Sequence, residues 1–398
     1  MPFRHKLFLE ESAGTALIVG DLHLHPGRDG APGTDLLSLV ESLDEKDLLV
    51  LNGDVFDLDR VGGEPELGFG PGAAAARIAR FLDEFPALGQ AMKTWTSQGG
   101  KVVWLAGNHD AEVCLPEVQE AVINRLGIDK RSLSFGEKLV INNEITIEHG
   151  HRMDPDNNFY PTTSAAVKRG NLESLPMGCL VTRMLLTRIP EYRRNGEHRS
   201  NPWQIFTRLF RQHKLAVFKM VALYLVMALR ICKLSARAAY RADTAPWSST
   251  FGILAAARRL YLDRLLAALF LVSLGIVAFS SWLIDNEVPV YIALASLFNA
   301  AFLLIPTRRA RLYGSRDIDS VRNYAAGMAR QTGTSIVMGH THQPETKPID
   351  GQESTLYLNH GSFAKKIDGK RPLGVYRHGL LELAYFPPPP GIKSVKVA

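Results

Sequence analysis

An α/β layered fold is predicted by three features of the sequence. Short apolar runs rich in leucine, isoleucine and valine recur along the chain, as buried strands do. Stretches with the spacing of amphipathic helices separate these runs, and nearly every run ends at a cluster of glycine and polar residues. This repeated order of strand, polar cluster and helix is typical of a sheet covered by helices. Because such sheets bind ligands at the carboxyl ends of their strands, we expect the polar clusters to meet there.

The predicted elements fall into two groups separated by a long middle segment. The first group comprises a strand over 15–19, a helix over 36–43, a strand over 47–51, helices over 73–85 and on to about 97, and strands over 102–105 and 144–148. The second comprises a helix over 317–331 and strands over 335–338, 356–358, 374–377 and 380–385. The prolines at 387–390 predict an extended strap near the end of the chain.

Charge also divides the 398 residues. Residues 161–316 contain 22 lysines and arginines against 7 acidic residues, whereas the rest of the chain contains 24 against 33. An acidic region suits metal cations, and a basic region suits a phosphate-rich surface such as a membrane or a nucleic acid. We therefore predict one domain built from residues 1–160 and 317–398, interrupted by a basic helical insertion over 161–316.

The strand ends carry residue types that bind divalent cations. Asp21 and His23 follow the first strand, and residues two apart on a strand point to the same side. The full candidate set is Asp21, His23, Asp54, Asn108, His149, His340 and His342. Carboxylates, imidazoles and one amide suit Mn²⁺, Fe²⁺, Co²⁺ or Zn²⁺ better than a metal that prefers thiolates. Seven ligands are too many for one ion and suit two ions that share one ligand.

These motifs, in this order, resemble those of the calcineurin-like metallophosphoesterase superfamily. They are Asp-x-His at 21–23, Gly-Asp at 53–54, Gly-Asn-His-Asp at 107–110, a histidine at 149 and Gly-His-x-His at 339–342. The resemblance covers the two outer parts of the chain and implies a four-layer α/β/β/α sandwich. It leaves the segment 161–316 unexplained.

The resemblance also implies how the ligands are shared between two divalent cations. Asp21, His23 and His342 are expected at one site, Asn108, His149 and His340 at the other, and Asp54 between them. Mn²⁺ is the expected metal, with Fe²⁺, Co²⁺ or Zn²⁺ as alternatives. Such a cation pair lowers the pKa of a bridging water, and the resulting hydroxide displaces the leaving group in line at phosphorus.

Other polar residues near these motifs are predicted to have catalytic, substrate-binding or supporting roles. The resemblance implies that His109 is a general acid or stabilises the transition state, and Asp110 is expected to orient it. His151 and Arg152 are predicted to contact substrate, and Asp154 is a further candidate. Structural or supporting positions are expected for His25, Glu148 and His360.

Two apolar stretches in the insertion predict a membrane hairpin. Residues 265–284 contain no charge, residues 288–305 contain none either, and about 20 apolar residues span a bilayer. Arginines flank the outer ends of the pair, which places those ends and the catalytic domain on the cytoplasmic side of the inner membrane. A buried helical hairpin is the alternative. Residues 203–232 are more charged and are expected to lie at the lipid surface or to form a lid.

The sequence therefore predicts a dinuclear metal phosphohydrolase that cleaves a phosphoester or pyrophosphate bond of an amphiphilic or nucleotide-lipid substrate. The chain also resembles UDP-2,3-diacylglucosamine pyrophosphatases, although His109 stands where that group usually has arginine. Expected partners are a phosphorylated small molecule or lipid and the membrane lipids; nucleic acid is disfavoured. The alternatives are a nuclease or nucleotide phosphodiesterase, a protein phosphatase, and a non-catalytic membrane scaffold. Three cysteines without paired spacing favour a reducing compartment.

Overall fold

The structure is a computed structural model that describes most of the two outer parts of the chain. The described residues are 6–24, 31–60, 71–154, 156–159, 162–170, 174–184, 307–349 and 351–387, with 211, 222, 225–230, 273–277, 279–280 and 283. The chain divides into two compact units, one formed by Met1–Arg199 with Ser320–Ala398 and the other by Ser200–Asp319. The elements below position the site within the first unit.

Eleven strands form one mixed sheet in the described part of the chain. They are β1 (Lys6–Glu11), β2 (Thr15–Val19), β3 (Leu48–Asn52), β4 (Lys101–Leu105), β5 (Leu133–Ile141), β6 (Ile145–Glu148), β7 (Ser335–Met338), β8 (Glu345–Ile349), β9 (Gln352–Asn359), β10 (Arg371–Arg377) and β11 (Leu380–Phe386). Their order is β11-β10-β2-β3-β4-β5-β6-β7-β9-β8, and β1 pairs with β5 outside this path.

The parallel pairings explain why distant motifs meet. β2, β3 and β4 are parallel neighbours, and β6, β7 and β9 form a second parallel set. The antiparallel pair β5 and β6 joins the two sets. Since parallel strands end at the same edge, the segments after β2, β3 and β4 come together, and so do those after β6 and β7. The two sets of loops also meet, because His149, after β6, contacts the Asn52 carbonyl oxygen at the end of β3, and the His340 N–H, after β7, donates to Asp21, after β2.

The described helices lie between strands of this sheet along the chain. They are α1 (Ala31–Glu41), α2 (Pro71–Asp83), α3 (Pro86–Ser97), α4 (Pro116–Leu126), α5 (Thr163–Lys168), α6 (Met177–Met184) and α7 (Thr307–Thr332). Proline opens α2, α3 and α4, a position where its missing N–H leaves no hydrogen bond unmade.

One apolar cluster unites strands that are distant in the hydrogen-bonding order. It contains alternate residues of β2, β3 and β4, such as Ile18, Val50 and Val103, together with Ile147 and Val337 from the other parallel set. β11, at one end of the hydrogen-bonding order, contacts β9 and β8 at the other end, so the sheet folds back on itself. On the opposite face of β7 and β9, Val321 and other residues of α7 form a separate core. The arrangement fits the predicted α/β/β/α order of layers.

Most predicted elements are present, but three strands were not expected. β1, β5 and β8 carry charged residues among their apolar ones, so they lack the continuous apolar run of a strand buried on both faces. The helix predicted over 36–43 instead spans Ala31–Glu41. The strand predicted over 356–358 is longer and spans Gln352–Asn359.

The membrane hairpin receives no support from the described residues. Among them, no helix combines the length and the apolar character needed to cross a bilayer. Most of 203–232, 265–284 and 288–305 lies outside the described ranges. The hairpin and the lipid-surface segment therefore stay predictions.

Candidate metal centre

The loops after β2, β3 and β7 share an unusual backbone conformation. Asp21, His23, Asp54, His340 and His342 all have positive φ angles, between 48° and 65°. Asp and His are among the few residue types other than glycine that enter this region. The sharp turns direct their side chains back across the strand ends, where they converge in two groups.

The first group joins the end of β2 to the loop after β7. Ligand atoms of Asp21, His23 and His342 all lie within 4.8 Å of one another. The Nε2 atoms of His23 and His342 are 3.2 Å apart, and His342 Nε2 is 3.0 Å from Asp21 Oδ1. Two imidazole nitrogens this close suit neighbouring ligands of one cation, given metal–nitrogen bonds of about 2.0 Å.

The second group joins β3, β6 and β7. Ligand atoms of Asp54, His149 and His340 lie within 4.8 Å of one another. His149 Nδ1 donates to the Asn52 carbonyl oxygen at 2.8 Å, so Nε2 carries the free lone pair, and it lies 3.2 Å from Asp54 Oδ2. A hydrogen bond of this kind fixes the tautomer of a metal-binding histidine.

Asn108 lies in the loop after β4, between Gly107 and His109, which both contact Asp54. Its Nδ2 donates to Asn157 Oδ1 at 3.3 Å, which orients the amide. Its Oδ1 is buried and accepts no hydrogen bond from the described residues. Buried polar atoms nearly always have a partner, so a buried amide oxygen without one, in the loop that contacts Asp54, fits a ligand of a divalent cation.

Two glycines bring the loops close enough for this arrangement. A Cβ on Gly107 would lie 2.1 Å from Asp54 Oδ1, and one on Gly53 would lie 2.6 Å from the His149 ring. Asp54 thus lies against the loop after β4, and its Oδ1 accepts the His109 backbone N–H at 2.7 Å. The other oxygen, Oδ2, lies 3.2 Å from His149 Nε2 and 4.0 Å from His23 Nε2, so Asp54 lies between the two groups.

Electrostatics at the centre favours positive charge. Burial opposes ionisation of Asp21, but His342 and His149 outweigh it and hold the pKa of Asp21 below its usual range. Burial opposes ionisation of Asp54 too, while His149 and His109 keep its pKa well below the ordinary value. Burial lowers the pKa of His149, yet Asp54 and Asp21 raise it to about 9. The carboxylates that attract a proton to His149 would attract a metal cation equally.

The residues present therefore fit a pair of divalent cations. Asp21, His23 and His342 would hold one, Asn108, His149 and His340 the other, and Asp54 would reach both. The oxygen and nitrogen donors match Mn²⁺, Fe²⁺, Co²⁺ or Zn²⁺ and show no thiolate.

His109 lies beside the centre, but the acids that orient it differ from the expectation. Its Nδ1 is 3.0 Å from Asp59 Oδ2 and 3.5 Å from Asp57 Oδ1. Burial lowers the pKa of His109, but Asp57 and Asp54 outweigh burial and hold it well above its usual value. The charged form is therefore available as an acid.

Asp110 has a different task from the one expected. Its carboxylate accepts backbone N–H groups of Asp54, Val55 and Gly107 and the Trp104 indole N–H. Burial and Asp54 raise the pKa of Asp110 to about 7 despite these donors. The residue fixes the backbone of the two ligand loops, and the acids beside His109 are Asp57 and Asp59.

The predicted substrate contacts divide between buried and accessible positions. His151 is only 4% exposed, and its Nε2 lies 3.0 Å from Thr163 Oγ1. Its ring packs 5.5 Å from that of His149, so it supports a ligand instead of facing substrate. Asp154 likewise supports a ligand, because its Oδ2 is 3.0 Å from His340 Nε2. Arg152 is half-buried, and its contact with substrate stays a prediction.

Two of the supporting residues behave as expected. Buried His360 donates from Nδ1 to the Gly361 carbonyl at 2.8 Å, and its Nε2 lies 3.0 Å from Asn52 Nδ2. Glu148 is buried and pairs with Lys138 at 3.2 Å. His25 lies outside the described residues.

Sequence reasoning missed Asp57, Asp59, Asn157 and Arg183. Asp57 and Asp59 follow Asp54 at a spacing of three and five residues, which resembles an ordinary acidic loop. Asn157 and Arg183 lie beyond the last motif of the first part and show no local pattern. The one local signal for Asp57 and Asp59 is the recurrence of acidic residues after Asp54.

Comparison with known families supports one class for this site. The calcineurin-like phosphoesterase family model matches residues 14–211. The match includes Asp21, His23, Asp54, Asn108 and His149, while His340 and His342 lie outside it and are brought to the same centre by the fold. No curated protein matches the chain.

The match places a calcineurin-like phosphoesterase domain in the chain and supports its assignment to the metallophosphoesterase superfamily. Together with the clustered ligands, it supports a metal-dependent phosphoesterase, a hydrolase of phosphoester bonds.

Proposed function

We propose that this protein is a dinuclear metal phosphohydrolase whose general acid is His109. One observation carries the proposal: Asp54 Oδ2 lies 3.2 Å from His149 Nε2 of one ligand group and 4.0 Å from His23 Nε2 of the other, and Asp54 Oδ1 accepts the His109 backbone N–H. When bound, the two cations supply an activated water and positive charge for the phosphate. Asp57 and Asp59 hold His109 Nδ1, which leaves Nε2 to give a proton to the leaving oxygen as the phosphorus–oxygen bond breaks.

The activity is testable with generic phosphoesters. We expect the purified protein to hydrolyse bis(p-nitrophenyl) phosphate in the presence of Mn²⁺ and to lose this activity in EDTA. Asp54→Ala removes the shared ligand and is expected to abolish hydrolysis. Asp129→Ala is the matched control, because this exposed aspartate pairs with Arg131 away from the centre. An active Asp54→Ala protein contradicts the proposal.

We further propose that the substrate carries acyl chains and is met at the cytoplasmic face of the inner membrane. The support comes from the sequence: two uncharged stretches of hairpin length lie within a strongly basic segment. The resemblance to UDP-2,3-diacylglucosamine pyrophosphatases suggests a pyrophosphate bond between a nucleotide and an acylated sugar.

A paired-substrate assay tests the lipid proposal. UDP-2,3-diacylglucosamine and UDP-N-acetylglucosamine share the pyrophosphate and differ in their acyl chains. We expect the first to be hydrolysed at least about 100-fold faster, because binding energy from remote groups is used at the reacting bond. Equal rates would contradict the lipid proposal. A flotation experiment in which the full-length protein does not float with phosphatidylglycerol vesicles would also contradict it.

A further inference from the structure

A short helix outside the strand-end motifs is joined to the candidate catalytic centre. α6 lies in the segment predicted as an insertion, within the first of the two compact units. Cys179 Sγ is 3.3 Å from the carbonyl oxygen of Asn108, and the Gly178 N–H donates to the Asp156 carbonyl at 2.7 Å. A Cβ on Gly178 would lie 2.2 Å from Asn157 Oδ1. The helix therefore packs directly on the loops that carry and orient Asn108.

Arg183, on the last turn of α6, extends this contact to the acids beside His109. The Arg183 side chain is 4% exposed, and its Nε donates to Asp59 Oδ1. Its Nη2 donates to Glu112 Oε1 at 2.6 Å, and Arg77 Nη2 donates to the same oxygen at 2.9 Å. Asp59 is fully buried, so the Arg183 guanidinium provides the opposite charge that a buried carboxylate requires.

The two oxygens of Asp59 face in different directions. Oδ1 accepts from Arg183, while Oδ2 lies 3.0 Å from His109 Nδ1. Arg183 thus holds the carboxylate from one side and His109 meets it on the other. Rotation of the Asp59 carboxylate would break its hydrogen bond with Arg183.

We propose that Arg183 is a positioning residue that holds Asp59, and through it His109, for proton transfer to the leaving group. This inference rests on the proposed function and adds to it a part of the chain outside the ligand motifs. The proton moves from His109 Nε2 to the leaving oxygen as that oxygen separates from phosphorus. In this role Arg183 acts through Asp59 and requires no contact of its own with the substrate.

Leaving-group dependence distinguishes this role from a merely structural one. Methyl p-nitrophenyl phosphate releases a stable anion that needs no proton, whereas methyl phenyl phosphate releases a basic one that does. We expect Arg183→Gln to slow the phenyl ester at least about 10-fold more than the nitrophenyl ester, since general acids contribute about 10²–10⁴-fold. The ratio of the two rates in one sample is independent of how much of the enzyme is folded.

The matched control is Arg77→Gln. Arg77 is equally buried and binds the same Glu112 oxygen, but it lies on α2. We expect this variant to be less stable than the wild type but to keep the wild-type ratio of the phenyl and nitrophenyl ester rates. The double variant Arg183→Gln with His109→Gln should show the ratio of His109→Gln alone, because both changes remove one function.

If Arg183→Gln does not fold, Asp59→Asn tests the same series of contacts from Arg183 to His109, because asparagine has nearly the volume of aspartate. It should reproduce the selective loss on the phenyl ester. Unchanged ratios in both variants would overturn the inference while leaving the proposed hydrolase intact. If the wild type hydrolyses neither ester, the proposed function fails instead.

A readout without catalysis completes the test. In metal-free protein labelled with ¹⁵N-histidine, the His109 Nδ1 resonance should report the Asp59 carboxylate 3.0 Å away. We expect Arg183→Gln to shift this resonance and Arg77→Gln to leave it in place. An unshifted signal in Arg183→Gln contradicts the inference even in the absence of a known substrate.

Discussion

Five of the seven candidate ligands adopt a conformation that most residues avoid. Left-handed backbone at a residue other than glycine costs on the order of 1 kcal/mol or more, and such residues cluster at functional sites. Asp21 and Asp54 owe their inward direction to this conformation. The strain suggests that the surrounding hydrogen bonds hold the ligands in place before a cation arrives.

Asn157 tests whether the residues behind the ligands matter. Asn157→Ala removes the acceptor that orients Asn108 and the donor that binds Asp154 at 2.6 Å. Loss of such a supporting contact typically weakens metal affinity about 10–100-fold, and we expect this range for Mn²⁺ measured by calorimetry. Gln90→Ala, on the exposed side of α3, is the control. Equal affinities in wild type and Asn157→Ala would argue against the assigned role.

Proton competition predicts how cation binding depends on pH. The pKa of His149 in the metal-free protein is raised to about 9, because Asp54 and Asp21 outweigh the effect of burial. Below that pH a cation must displace the proton, so the apparent affinity for Mn²⁺ should rise with pH. The expected slope is about tenfold per pH unit for one released proton. Titrations at three pH values between 6.5 and 8.5 measure it, and a flat profile is the contrary result.

Individual residues also show where sequence interpretation reached its limit. The ligand set follows from motifs at strand ends, and the structure brings together six of its members in acid–histidine groups, with Asn108 in the loop that contacts Asp54. Asp110 was assigned to His109 because it is adjacent in sequence. Its carboxylate instead binds the backbone of the loop after β3, and Asp59 reaches His109 from that neighbouring loop. Adjacency along the chain does not determine which side chains meet.

Among the elements, the loops after β3 and β4 depend on glycine. Gly107→Ala would place a Cβ 2.1 Å from Asp54 Oδ1, so the carboxylate must move. Displacement of about 1 Å at a catalytic centre can cost about 100-fold in rate, and we expect at least this loss in Mn²⁺-dependent hydrolysis.

Gly327→Ala is the matched control on α7. Among the residues that the structure describes, none outside the helix backbone has an atom within 4 Å of a Cβ at this position, and the φ of Gly327 is not positive. Alanine there should stabilise the protein by about 0.4–1 kcal/mol and leave activity unchanged. Thermal melting and the hydrolysis assay measure the pair. Similar behaviour of the two variants would show that the close approach at Gly107 is unimportant.

Secondary structure was most predictable where strands are buried on both faces. β2, β3, β4 and β7 are continuous apolar runs, and the sequence interpretation located each of them closely. β5 pairs with three other strands yet contains Gly136, Glu137 and Lys138. Its tertiary contacts, which are not visible in local sequence, determine that it is a strand.

For the whole molecule, the division of charge anticipated two kinds of region but not every contact between segments. α6 lies in the basic segment 161–316 and still contributes Arg183 to the acidic centre. A segment with no ligand motif can therefore carry part of the machinery. The net charge of a long segment describes its surface on average. It does not predict the position of a single buried arginine such as Arg183, which pairs with Asp59 and Glu112.

The proposed reaction requires a pair of cations that share Asp54. Inductively coupled plasma mass spectrometry and calorimetry on the full chain, loaded with Mn²⁺ and freed of excess, measure this directly. We predict two Mn²⁺ ions per wild-type chain and at most one, weakly held, in Asp54→Ala, with Asp129→Ala retaining two. A wild-type chain that binds no Mn²⁺, or an Asp54→Ala chain that holds two ions as tightly as wild type, would contradict it.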